Sequence, residues 1–170
     1  MIRFAGRDAE DFLPDLMAIE EESFSHPMTE AQLHALCRAE STMWVLADAP
    51  AGDDGRIVGS VWCQMVLDEG YIGNVAVKRD YRRKGIADTL LYALDTAAEE
   101  KKLRFLTLEV REGNSPAIAL YEKHDYAVVG VRRNYYQNPR ENALLMTKFF
   151  PGTKEYEERH KKNSHENTGI

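Results

Sequence analysis

The segment from Tyr71 to Val110 constrains the fold more than any other stretch of the chain. An apolar run ending in Val75-Ala76-Val77 enters the basic, glycine-containing turn Arg82-Arg83-Lys84-Gly85. Ile86, Leu90, Leu94 and Ala97 then recur at helical spacing, and Arg104 to Val110 returns as a near-continuous apolar strand. Strand, turn, amphipathic helix and buried strand in that order predict a βαβ unit, with a parallel strand pair and the crossover helix packed back on the sheet. At 170 residues the chain holds one full-sized domain with a continuous core.

The flanking segments extend the sheet on both sides. Ile2 to Ala5 reads as a short strand, and Asp8 as the N-cap of a helix carrying Phe12, Leu16 and Ile19 on its apolar face. Pro27 breaks that pattern, after which Thr29-Glu30-Ala31-Gln32 has the capping-box form and opens a shorter helix with Leu33, Leu36 and Cys37 inward. Met43 to Ala47 and Ile57 to Leu67 form an antiparallel hairpin around a turn at 49–55, and Tyr71 to Val77 is the fourth strand. The crossover helix is expected to run from Gly85 to Lys101 or Lys102. Ser115 and Pro116 read as N-cap and N1 of a helix to about His124, followed by strands Tyr126 to Val131 and Ala143 to Phe149. The predicted fold class is α/β with an α+β mixed sheet of six to seven strands flanked by about four helices, in one domain over 1–150. Residues 151–170 are rich in Lys, Glu, His and Asn, and are expected to be a disordered polar tail.

Charge and composition narrow the function classes. Lys and Arg number 22 against 28 for Asp and Glu, so the net charge of -6 repels nucleic acid. No apolar run approaches the roughly 18 residues of a membrane span, and Met1 to Asp8 lacks a signal-peptide core, which gives a cytoplasmic expectation without membrane contact. Cys37, Cys63 and the five histidines have no ligand-like spacing, so no metal site is expected.

The turn at 82–87 carries the first functional signal. A strand that runs through a glycine turn into a helix brings free backbone N–H groups and the helix dipole to one point, an arrangement suited to a diphosphate. Arg82, Arg83 and Lys84 add positive charge, whereas Asp88 has the wrong sign and is expected to point outward. Taken alone, the motif is equally an exposed basic loop. Glu109 near the end of its strand and Tyr121 on the following helix are likewise ambiguous on spacing alone, one as a solvent-facing carboxylate and the other as a core residue.

Arg82-Arg83-Lys84-Gly85-Ile86-Ala87 fits the signature of Arg or Gln, two residues, Gly, one residue, then Gly or Ala, and here the chain resembles the GCN5-related N-acetyltransferase (GNAT) superfamily. It is most similar to the RimI family of ribosomal-protein alanine N-acetyltransferases. That likeness rests on Asn74-Val75-Ala76-Val77, Leu108-Glu109-Val110-Arg111, Asn114, Ala119-Leu120-Tyr121-Glu122 and Arg132-Arg133-Asn134-Tyr135-Tyr136, in order over residues 2 to 149. The resemblance implies direct transfer of acetyl from acetyl-CoA to a protein N-terminal amine, by family the N-terminal alanine of ribosomal small-subunit protein eighteen. It implies Glu109 as general base and Tyr121 as the acid that protonates the departing thiolate. Val75, Ala76 and Val77 would pair with the pantetheine, Arg82, Arg83, Lys84, Gly85, Ile86, Ala87 and Asp88 would surround the pyrophosphate, and Asn114 would supply a further coenzyme contact. Phe24, Pro27, Met28, Tyr135 and Tyr136 would line the acceptor, and the protein is expected as a monomer or weak dimer. Met28 stands where the family commonly has tryptophan, and Asp125 where it has glycine, a position an aspartate can fill in a left-handed conformation. The rival readings are an acetyltransferase for lysine or a small amine, and a non-catalytic acyl-CoA-binding module.

Overall fold

The computed structural model describes residues 1–50 and 56–166, with 162–166 by backbone alone. Residues 51–55 of the expected turn, and the last four residues of the expected tail, lie outside the described residues. Among the described residues the chain builds a mixed seven-stranded sheet and five α-helices. It divides into two compact units, Met1–Val66 with Tyr71–Ala97, and Leu67–Gly70 with Ala98–Ile170.

In the first unit β1 (Ile2–Ala5), β2 (Thr42–Asp48), β3 (Ile57–Val66) and β4 (Glu69–Val77) lie side by side in chain order. β1 and β3 both run antiparallel to β2, with Phe4 opposite Val45 and Trp44 opposite Trp62. The helix expected from Asp8 begins later. Asp8 Oδ1 accepts from the Gly6 N–H at 2.7 Å and starts a 3-10 turn over Arg7–Phe12; α1 (Leu13–Ser23) follows. Pro14 explains the shift, because its missing N–H costs nothing only in a first helical turn. α2 (Glu30–Arg38) has the expected capping box: the Thr29 N–H donates to Gln32 Oε1 at 2.8 Å, and the Gln32 N–H to Thr29 Oγ1 at 3.3 Å. Leu13, Leu16, Ile19, Leu33 and Cys37 from these helices close over Trp44, Leu46 and Ile57 of the sheet. Cys37 and Cys63 are free and buried, and burial pushes their thiols up to about 11 and about 12, so both serve as inert core.

Two glycines allow close packing in this unit. A Cβ on Gly59 would stand 3.0 Å from Ile86 Cγ2 and 3.3 Å from the Ala76 carbonyl oxygen, so its hydrogen lets α3 (Ile86–Glu100) settle on the sheet. A Cβ on Gly73 would fall 1.8 Å from Trp62 Cζ2, because the indole lies directly over that point of β4. The same indole is 6.4 Å from Trp44 and 6.2 Å from Tyr71, ring centre to ring centre.

In the second unit β5 (Phe105–Arg111), β7 (Arg140–Phe149) and β6 (Ala127–Gln137) lie in that spatial order, all neighbours antiparallel. β5 alternates rather than being buried on both faces: Leu106, Leu108 and Val110 are buried, and Thr107 and Glu109 are only partly so as whole residues, although the Glu109 side chain itself is covered. α4 (Ser115–Lys123) is capped by Asn114, one residue before the expected Ser115, because the Asn114 side chain reaches the Ala117 N–H at 3.3 Å and leaves Pro116 inside the first turn. Asp125 has φ 67, the left-handed conformation expected of it.

The closing hairpin is longer than its apolar pattern suggested, since β6 continues through Arg132 to Gln137 with a bulge that sets residues 133–135 against Asn142. Asn134 takes φ 53 there, and its N–H donates to Asn142 Oδ1 at 3.0 Å.

The expected disordered tail is helical over α5 (Lys154–Glu166). Local interactions supply what apolar burial does not: Thr153 Oγ1 accepts from the Tyr156 N–H at 3.2 Å, Glu155 and Glu157 occupy the positive end of the dipole, and Tyr156 stacks on His160.

Candidate active site

The chemistry-bearing residues fall in both units, and each group has its own construction. In the first unit β4 ends at Val77 and the Lys78 N–H returns to the Val58 carbonyl at 2.8 Å. The chain then makes a 3-10 turn over Arg79–Tyr81 and turns twice through left-handed conformations, at Arg83 (φ 62) and Gly85 (φ 79), before α3 begins at Ile86. The first N–H groups of a helix have no acceptor within it, and here they gather at the positive end of a 15-residue dipole. The space in front of Gly85 is open, since a Cβ there would meet nothing within 4 Å; its positive φ, not crowding, calls for glycine. That opening and those donors fit a diphosphate.

Arg82 is not free to join them. Its Nε donates to the Val77 carbonyl at 2.8 Å, and its Nη2 donates to the Glu22 carbonyl at 3.3 Å and Ser23 Oγ at 3.2 Å. The side chain is a brace between the turn and the end of α1. Arg82, Arg83 and Lys84 are all exposed, but only Arg82 is tied back to α1, and Lys84 Nζ lies 5.1 Å from the centre of the Tyr81 ring. Asp88, expected to point outward, is half-buried in the first turn of α3, where its charge suits the helix dipole.

Phe24 and Met28 pack, partly buried, against the core of this unit. The segment they bound is held at both ends by one residue: the Phe24 N–H donates to the Glu20 carbonyl at 3.0 Å, and the Met28 N–H to Glu20 Oε2 at 3.2 Å. Glu20 Oε1 also accepts from Asn74 Nδ2 at 2.7 Å. Glu20 is 5% exposed, and burial raises its carboxyl above the usual range against the opposing pull of these two donors. The sequence reading missed it inside the acidic run Glu20-Glu21-Glu22. Its position four residues after Leu16, on the same helical stripe, is the signal that marks it as inward-facing.

In the second unit the geometry is one of side chains. Glu109 does not face solvent: its side chain is 8% exposed, and Oε1 lies 3.0 Å from Arg132 Nε. Arg132 stands over the Tyr135 ring at 5.6 Å, and Arg111 over the Tyr136 ring at 4.0 Å. Tyr135 and Tyr136 meet edge to face at 5.2 Å. Arg111 is held by Glu141, whose other oxygen accepts from the Gly113 N–H. Tyr121 is buried beside Tyr126, and burial, reinforced by Tyr136, pushes its hydroxyl up to about 12. A tyrosine of that kind keeps its proton throughout the neutral range and acts as a donor, never as a base. The unit thus brings Glu109, Arg132 and Tyr136 into one charge network and couples Tyr121 to it through Tyr136. Arg132 is the second residue the sequence reading missed as a participant; only the long β6 strand brings it across β7 to Glu109 of β5.

Asn114 caps α4 through its side-chain oxygen, so that oxygen is engaged within the fold. Among the described residues no three His, Cys, Asp or Glu side chains stand close enough to hold a metal ion, and no helix is long and apolar enough to cross a membrane.

Comparison with known proteins gives this geometry a family. Over 129 residues, 75% of this chain and 83% of its relative, the sequence is 34% identical to the Bacillus subtilis "Putative ribosomal protein bS18-alanine N-acetyltransferase". It is 40% identical over 95 residues, 55% of this chain, to the Escherichia coli ribosomal protein bS18-alanine N-acetyltransferase, and the match spans 64% of that protein. The crystal structure of the Escherichia coli ribosomal-protein-S18-alanine N-acetyltransferase superimposes with a TM-score of 0.76 at 30% identity, covering 91% of this chain and 98% of that one. Residues 9–126 match the Acetyltransferase (GNAT) family, and the chain belongs to it.

Proposed function

We propose that the protein transfers acetyl directly from acetyl-CoA to the N-terminal amine of a ribosomal protein, with an N-terminal alanine as the favoured acceptor. The observation that carries this choice of acceptor is the Arg132 guanidinium 3.0 Å from Glu109. A carboxylate already paired with a guanidinium offers an incoming ammonium little net attraction, which favours an amine that is readily neutral. At neutral pH an N-terminal amine of pKa about 7.7–8.0 is neutral in roughly one molecule in ten, whereas a lysine at about 10.4 is neutral in fewer than one in a thousand. The relatives named above act on an N-terminal alanine, which agrees with that discrimination.

In this reading the N–H groups from Arg83 to Asp88 hold the pyrophosphate, with Arg83 and Lys84 adding charge and Arg82 fixing the turn from behind. The strand backbone at Val75, Ala76 and Val77 pairs with the pantetheine amides as an added strand pairs with a sheet edge, and Asn114 lies at a further coenzyme contact. Phe24, Pro27, Met28, Tyr135 and Tyr136 are the residues assigned to contact with the acceptor peptide. Glu109 takes the proton from the attacking amine, directly or through water. The amine nitrogen bonds to the thioester carbon, the C–S bond breaks, and Tyr121 returns a proton to the departing sulfur. Tyr121 is the weaker acid of that pair, since the coenzyme thiol resembles cysteine at about 8.5, and its value is to present a fixed O–H where negative charge develops.

The test is to incubate the full chain with acetyl-CoA and a mixture of N-terminal peptides, N-terminally blocked lysine peptides and polyamines, and to locate the added acetyl group by mass spectrometry. Acetyl on the free N-terminus of alanine-initiated peptides is the expected result. Acetylation confined to lysine side chains or polyamines overturns the acceptor assignment, and binding without turnover overturns the enzymatic one.

A further inference from the structure

Two polar contacts in the first unit converge on one buried carboxylate, and a third on the backbone of the same residue. The Glu20 backbone oxygen takes the Phe24 N–H, Oε2 takes the Met28 N–H, and Oε1 takes the Asn74 side-chain amide, at 3.0, 3.2 and 2.7 Å. Phe24 to Met28 is the segment assigned above to the acceptor, and Asn74 immediately precedes the Val75–Val77 strand assigned to the pantetheine. We infer that Glu20 is a positioning residue for the acceptor, fixing the Phe24–Met28 segment against the coenzyme strand through Asn74. This inference rests on the acceptor reading given above and adds a residue to it.

The physical reason is the cost of the arrangement. A carboxylate 5% exposed is desolvated, and the same α1 position filled by leucine would extend the stripe of Leu13, Leu16 and Ile19 at no such cost. What a leucine cannot do is accept two hydrogen bonds in different directions. Without them, Met28 loses the tie that places its backbone, and the segment is held only by its apolar packing. The neighbouring contacts reinforce the same geometry without duplicating it: Arg82 reaches the Glu22 carbonyl and Ser23 Oγ, and Lys78 Nζ reaches Asp15 Oδ1 at 3.0 Å. These fix α1 on the turn, and Glu20 alone extends the bracing to Met28.

Glutamine at this position keeps most of the function. Its oxygen still accepts from the Met28 N–H, and its NH2 can donate to Asn74 once that amide is flipped. The experiment compares Glu20→Leu, Glu20→Gln and Asn74→Ala in the full chain, using an alanine-initiated peptide at saturating acetyl-CoA, with acetyl-CoA affinity measured separately by calorimetry. Glu20→Leu is expected to raise the peptide KM about tenfold or more, Asn74→Ala by about three- to tenfold and Glu20→Gln by less than about threefold, each at unchanged acetyl-CoA affinity, as fits the loss of two, one and no side-chain hydrogen bonds. A wild-type peptide KM in Glu20→Leu overturns the inference, as does an equal loss of peptide and acetyl-CoA binding in Glu20→Leu and Glu20→Gln alike. Should Glu20→Leu fail to fold, Asn74→Ala decides, because it removes the brace from the strand side; an unchanged peptide KM there is equally fatal. The wild-type substrate series separates this from the acceptor reading. If the wild type uses only lysine peptides, the acceptor assignment has failed, and the same three variants then test the brace with that substrate.

Discussion

In the proposed reading the groups that residues 82–88 offer a diphosphate are backbone amides, and the Arg82 side chain, though exposed, is engaged by oxygens of the fold itself. Around Glu109 the proposed chemistry reverses this: the strand delivers side chains, and the groups assigned to proton transfer and acceptor contact belong to a carboxylate, a guanidinium or a phenol. A backbone site should tolerate exchange of its side chains and resist any change of φ. A side-chain site should fail at single atoms. The second region therefore offers the largest effects, with Glu109→Gln and Tyr121→Phe each expected to lower kcat by ~10²–10⁴-fold, the usual value of a positioned acid or base, at near wild-type acetyl-CoA affinity. Wild-type turnover in both variants would break the catalytic half of the contrast.

The next effect belongs to the turn. Gly85→Ala forces a Cβ into φ 79, a strain of roughly 1–3 kcal/mol, and should weaken acetyl-CoA binding by about five- to a hundredfold in a calorimetric titration. Arg83→Ala with Lys84→Ala should cost only about two- to fivefold, with most of that loss vanishing at high salt. The opposite ranking would mean that side-chain charge, not backbone geometry, holds the diphosphate.

Glu20 sharpens the comparison from the other direction, as a side-chain device in the unit otherwise built on backbone. Because burial raises its carboxyl, the folded protein binds that proton more tightly than the unfolded chain does. The stability associated with the protonated group is present at acidic pH, and is lost as pH rises from the ordinary carboxylate range through the raised value. Glu20→Gln cannot lose it, so the Tm of the variant relative to wild type should climb between acidic and neutral pH, by about 2–4 °C for each kcal/mol of desolvation relieved. A difference that is flat in pH would mean that the carboxylate is not held against its solvation.

Much of the fold was legible because it is local. The capping box at Thr29 and Gln32, the stripe on α3 and the left-handed Asp125 each follow from a few neighbouring residues. The residues misread were those whose neighbours are distant in the chain. Arg132 reaches Glu109 only because β6 runs on past Val131 and bulges before Tyr136, and nothing near Arg132 reveals that partner. Glu20 carries a helical-stripe signal that the adjacent Glu21 and Glu22 conceal, and Asn74, its partner, is 54 residues away. α5 was missed for a different reason: low hydrophobicity says that a segment cannot build a core, not that it cannot cap and pair its own helix. The family signature was legible in the turn, while the work of its first residue, Arg82, was not.

The indole of Trp62 and the bare α-carbon of Gly73 have a consequence for how such a chain can diverge. With 1.8 Å between a would-be methyl and the ring, neither position has a neutral first step that enlarges it. A descendant can place a side chain at 73 only after the residue at 62 has become smaller, so the two sites are locked into an ordered exchange, and their histories should be read as a single character.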